Sequence, residues 1–170
     1  MKLLFWGAAL VLLDADVTLG TAVFDLFPDF LGLMLLRRGM ERFAGECAEF
    51  DRGRHFAFGL ELAAMILYGA RLLSTTPVSR VTVGILLLVL RVCFLVLLYF
   101  TVRGTLRLAS ERGADIRSEQ IRGLFPVLAV LQPICLLVAW IPLIGSVSRI
   151  ASAVFALCFL AAFRSCTKIH

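Results

Sequence analysis

Residues 81–102 read VTVGILLLVLRVCFLVLLYFTV. A helix rises about 1.5 Å per residue, so this run is long enough to cross the ~30 Å hydrocarbon core of a bilayer. It holds one charge, Arg91, near its middle. Further apolar runs occupy Leu3–Leu13, Leu19–Leu36, Phe56–Leu73, Leu124–Gly145 and Val147–Phe163. Charged or turn-forming stretches separate them at Arg37–Arg54, Ser74–Arg80 and Arg103–Gly123, and Arg164–His170 follows the last.

Composition points the same way. The chain has 170 residues, of which 61% are hydrophobic and 17% charged, whereas a soluble domain is about half apolar and about a quarter charged. Too few charges remain to wet the surface of a globule. That excludes a soluble enzyme, a disordered tail and a coiled coil. The reading is an all-α fold, a polytopic helical membrane bundle of about six transmembrane segments, the first two short or re-entrant. No stretch between the runs is long enough for a second domain, so residues 1–170 form a single integral membrane domain.

Net charge is +5, from 17 Lys+Arg against 12 Asp+Glu. In a bilayer protein this reflects the excess of Lys and Arg in cytoplasmic loops, with attraction to anionic lipid, rather than nucleic-acid binding. Arg37, Arg38, Arg42, Arg52 and Arg54 share one inter-run stretch, and Arg103, Arg107, Arg112, Arg117 and Arg122 another. Lys2, Arg164 and Lys168 fall on the same side, against Arg71, Arg80 and Arg149 on the other. The bias predicts six segments in the cell membrane with both termini cytoplasmic. The five-span alternative merges the first two runs and moves only Lys2. In the six-segment arrangement Trp6 and Tyr99 would lie toward the inner boundary, Tyr68 and Trp140 toward the outer. Met1-Lys2 and the run to Leu13 imitate a signal peptide, but no small–x–small cleavage site follows, so an uncleaved first helix is expected. The Arg37–Asp51 stretch is expected to continue the second helix. Arg103–Arg122 is expected to lie along the inner surface or to form a solvated loop.

Four features could carry chemistry. The first is the broken start. Leu3–Leu13 reaches only about 16 Å, and Asp14, Asp16, Asp25 and Asp29 then gather where the first two runs turn. Pro28 suits the first position of a new helix, Asp25 its cap and Asp29 its first turn. Such a turn is either a wet outer loop with a capped helix or a dip into the bilayer, where broken helices bind ions or solutes in transporters. The stretch Phe24-Asp25-Leu26-Phe27-Pro28-Asp29-Phe30-Leu31-Gly32 resembles the (L/F)PDFxG helix start of small multi-pass membrane proteins of Gram-positive bacteria. The resemblance covers about the first 40 residues and implies location and size, not chemistry.

The second feature is the pair of charges within the apolar runs. Arg91 at mid-bilayer must face the bundle and meet an anion, because an unpaired charge there costs several kcal/mol. Glu61 is expected to be its first partner and Asp14 or Asp16 its second. The third is Gln132-Pro133, a polar side chain beside a helix-kinking proline, which reads as a cavity wall or an ordinary kink. The fourth is the small-residue spacing Gly59–Ala63 and Ser152–Ala156, read as helix packing.

The 5 cysteines form no CxxC and the 2 histidines are far apart, so no metal, cofactor or disulfide is expected. No GxSxG, HExxH, P-loop, GxGD or DGxxAR occurs, which weighs against an enzyme. The leading functional expectation is binding or passage of a small solute or ion through a polar core formed by Asp14, Asp16, Glu61, Arg91 and Gln132. The alternative is a non-catalytic membrane subunit, scaffold or sensor whose charges only fix helix packing. A lipid-modifying membrane enzyme comes third. Expected partners are the bilayer, anionic lipid at the Arg-rich inner loops, and another membrane protein or a second copy of the chain.

Overall fold

The structure, a computed structural model, describes residues 1–13, 16–19, 22–25, 29–73, 80–114, 117–138 and 141–168. Among these are six α-helices: α1 (Lys2–Leu12), α2 (Asp29–Glu41), α3 (Ala48–Leu73), α4 (Arg80–Glu111), α5 (Ser118–Val138) and α6 (Pro142–Phe163), followed by a 3-10 segment at Arg164–Lys168. Between α1 and α2 two short strands, β1 (Asp16–Leu19) and β2 (Ala22–Asp25), pair antiparallel with Asp16 opposite Asp25 and Leu19 opposite Ala22. Each helix packs on the next, and α6 returns to α1.

The helical class stands, while several expected boundaries move. The run from Leu19 is not helical at its start. Val17, Thr18, Val23 and Phe24 are β-branched or aromatic and suit a strand pair, so the helix waits until Asp29. Asp25 therefore ends β2 instead of capping α2, and Pro28 lies outside the described residues. α2 does not run on to Asp51. It stops at Glu41, and α3 opens at Ala48, with Glu49 and Asp51 in its first turn, where carboxylates meet the positive helix end. The Leu124–Gly145 run is divided between two helices, because Pro142 occupies the start of α6, the position proline favours.

Arg103 does not begin a loop either: α4 continues unbroken to Glu111. It ends on Gly113, whose φ of +60° is the left-handed conformation that glycine adopts freely. The Ala114 N–H returns to the Ala109 carbonyl at 2.9 Å and the Gly113 N–H to Ser110 at 3.4 Å, the bond pattern of a Schellman stop. Two buried hydroxyls along α4 are satisfied within the helix, Thr101 by the Leu97 carbonyl at 2.9 Å and Thr105 by that of Thr101 at 2.7 Å.

The tightest contact is between α1 and α2, and glycine makes it. A Cβ on Gly7 would lie 2.7 Å from the Gly32 carbonyl oxygen and from the Leu36 amide nitrogen. One on Gly32 would lie 2.5 Å from Val11 Cγ2, and one on Gly39 2.6 Å from Leu4 Cδ2. The two helices thus run antiparallel, Leu4 beside Gly39 and Val11 beside Gly32. The Gly32 of the PDFLG stretch is a packing residue. The expected contact at Gly59–Ala63 is absent: Gly59 has open space where a side chain would go, and both residues are exposed. Of the Ser152–Ala156 pair, Ala156 is fully buried.

Leu4, Leu36, Met40, Phe50, Leu97, Leu98, Phe159 and Phe163 fill the core. Large apolar side chains also line the outside. Phe58, Leu62, Met65 and Ile66 on α3 are exposed, as are Ile85, Val89, Val92 and Val96 on α4. Val127, Val130, Ile134 and Leu137 on α5 and Val147, Ile150, Val154 and Leu157 on α6 do the same. Among the described residues two helices are long and apolar enough to cross a membrane, Ile85–Glu111 and Ser146–Thr167. Only 33% and 28% of their most apolar stretches are buried.

Candidate functional site

Arg91 lies on α4 with its guanidinium turned to the end of α1. Its Nη1 donates to the Val11 carbonyl at 2.9 Å. The last four carbonyls of a helix have no partner within it. Leu13 N–H covers that of Ala9 at 2.9 Å, and Arg91 covers Val11. A cation there also meets the negative end of the helix dipole. Of the acids expected beside Arg91, Asp14 lies outside the described residues. Asp16 is placed by its backbone, on β1 opposite Asp25.

Glu61 is not brought to Arg91. It is buried on α3, and Arg37 of α2 holds it through Nε at 2.8 Å. Arg37 Nη1 also meets Glu41 at 2.8 Å, and its guanidinium lies over the Phe58 ring, 5.6 Å from the centroid. The reason is register. Met40 packs at Gly53 and the Phe30 ring packs on Tyr68, so the level of Glu61 on α2 falls within a turn of Arg37. A long guanidinium stem spans that difference. Gln132 is buried on α5 beside Pro133. Asp29 stands in the first turn of α2.

A second polar cluster went unnoticed in the sequence. It lies where the end of α4 meets the start of α3. Glu49 is bridged by Arg107 at 3.5 Å and Arg103 at 3.9 Å, and it accepts the Cys47 thiol at 3.1 Å. Arg107 also meets Glu111 at 3.1 Å, Arg112 pairs with Glu46, and Arg54 with Asp51 at 2.8 Å. The signal for it was the alternation of Glu46, Glu49 and Asp51 with arginines, legible only once the two stretches are known to touch. The Cys47 hydrogen bond first, then the residue's own N–H and the Arg107 charge, hold Glu49 below the usual carboxylate range.

Burial and the bond to Glu49 push the Cys47 thiol from 9.0 up to about 11. The folded chain therefore keeps this proton where the unfolded chain has lost it. The stability so contributed is present below pH 9 and is lost as pH rises toward 11. A Cys47→Ala variant is expected to flatten that alkaline loss in pH-dependent melting. At pH 8 only about a thousandth of Cys47 is thiolate, so iodoacetamide should label it slowly in the native state and readily in dodecyl sulfate. Equal rates in the two states would refute the burial argument. All 5 cysteines are free.

No protein family, curated protein or solved structure matches the chain. Fold and site therefore define a helical class only, with two helices suited to a membrane.

Proposed function

We propose that the chain is a multi-pass integral membrane protein acting as a non-catalytic membrane component, its buried charges fixing helix packing. The observation that carries this reading is the capture of Glu61 by Arg37. A carboxylate already neutralised by a neighbouring helix is a fastener rather than an open ligand. The membrane assignment rests on apolar stripes that recur at helical spacing on the outer faces of α3, α4, α5 and α6; so large an exposed apolar surface marks contact with lipid or protein.

In this arrangement α3 to α6 cross the bilayer. α1 and α2, at 11 and 13 residues, reach only about 16 and 20 Å. They enter from the cytoplasmic side as a re-entrant helical hairpin, with the strand pair at its tip near the depth of Arg91. Backbone at such depth is tolerated when protein surrounds it. Lys2, the arginine belt and Lys168 then share the inner side. Reporter fusions at the two termini should both report cytoplasm, and a terminus on the outside would overturn the arrangement.

A second reading, passage of a small ion or solute, has one observation in its favour. Asp16 and Asp25 sit directly opposite in the strand pair, next to the α1 end that Arg91 caps. Proteoliposomes loaded with a pH- or potassium-sensitive dye separate the two. The packing role predicts leakage no faster than in protein-free vesicles. A flux abolished by Asp16→Asn or Asp25→Asn would reverse the order of the readings.

A further inference from the structure

Part of the cationic belt is paired with carboxylates and part is not. Arg37, Arg54, Arg103, Arg107 and Arg112 each meet a carboxylate. Arg38 and Arg42, at the end of α2, are exposed and have no ion pair among the described residues. They border a cavity of about 400 Å³ with Leu3 and Leu35 as its apolar walls and Glu41 at its edge. That volume lies in the range of small-ligand sites, about 300–1,000 Å³. The one carboxylate present is already engaged by Arg37, so the cavity keeps a net positive field.

We infer that this groove binds the phosphodiester headgroup of an anionic phospholipid of the inner leaflet. Arg38 in the last turn of α2 and Arg42 just past its end both line this cavity, so their guanidinium groups can converge on one phosphate. Leu3 and Leu35 offer an apolar wall to the glycerol and the first acyl carbons. A free phosphate ion would use the arginines but gain nothing from the leucines. The inference rests on the membrane reading above, since it places the groove at the inner boundary.

The test uses the full chain in mild detergent doped with phosphatidylglycerol, with native mass spectrometry counting retained lipids. The wild type should keep phosphatidylglycerol in preference to phosphatidylcholine. Arg38→Gln/Arg42→Gln should bind it roughly thirtyfold more weakly, with melting in plain detergent unchanged. Arg52→Gln/Arg122→Gln, which removes two exposed arginines elsewhere, should keep wild-type binding. Equal losses in both double variants would overturn the site in favour of diffuse charge. Protection by inorganic phosphate alone, equal to that by the lipid, would overturn the headgroup assignment. Because the measurement needs no sidedness, its failure is distinguishable from a failure of the terminal reporters.

Discussion

Replacing Gly7 by alanine should force α1 away from α2 and lower stability by about 3 kcal/mol, the upper end of ordinary overpacking costs. The new methyl would sit 2.7 Å from two backbone atoms, the Gly32 oxygen and the Leu36 nitrogen, and 2.8 Å from Leu36 Cγ. Backbone cannot rotate aside as a side chain can, so the helices themselves must part. Parting them also loosens Leu4 against Gly39 and Val11 against Gly32. Alanine is the better helix former by roughly 0.5–1 kcal/mol, but the clash outweighs that gain. Gly59→Ala is the matched control, because nothing lies within 4 Å of its added methyl. There the propensity gain stands alone and stability should rise slightly. Thermal unfolding in detergent reads both: a drop of about 6–12 °C for the first, a small increase for the second. Equal melting of the two variants would sink the glycine-contact account.

The second large effect concerns Arg37. Its loss in Arg37→Leu strands the Glu61 carboxylate, whose side chain is 11% exposed. Breaking a buried pair from one side costs about 3–5 kcal/mol, whereas replacing both partners by apolar groups is often neutral. Arg37→Leu should therefore be severely destabilised, and Arg37→Leu/Glu61→Leu should regain most of the loss. Glu61→Gln should be milder, because its amide oxygen still accepts from Nε and Arg37 keeps Glu41. If the double variant is as unstable as the sum of the single ones, the pair is no fastener. Unaltered melting of Arg37→Leu would dispose of the contact altogether.

Much of the architecture was legible in the order of residues. The apolar runs at 81–102 and 147–163 became helices because nothing within them favours a turn. The starts of α3 and α6 were not legible: the Arg37–Asp51 stretch read as a continuation of the second helix, and the last run was placed from Val147, whereas the helices open at Ala48 and Pro142. The partner of Glu61 was not legible. Arg37 reads as one more loop arginine until the register of α2 on α3 is known, and depth estimated along a single helix ignores how far a guanidinium can reach. The glycine contact was hidden for a similar reason. Gly7, Gly32 and Gly39 belong to two helices, and their meeting depends on how those helices align. Gly59 and Ala63, by contrast, had the right spacing on one helix but faced outward. The strand pair was masked because short apolar stretches such as 16–25 fit either a helix or a strand.

The bond from Arg91 to Val11 joins residues 80 apart in sequence, and α1 also packs on α6. Synthesis on the ribosome delivers α1 well before α4 and α6. While only the N-terminal hairpin has emerged, the carbonyl end of α1 has no guanidinium to receive it. The glycine contacts between α1 and α2 can form at once, but this end of the hairpin must be sheltered, by water or by the insertion machinery, until the fourth helix arrives.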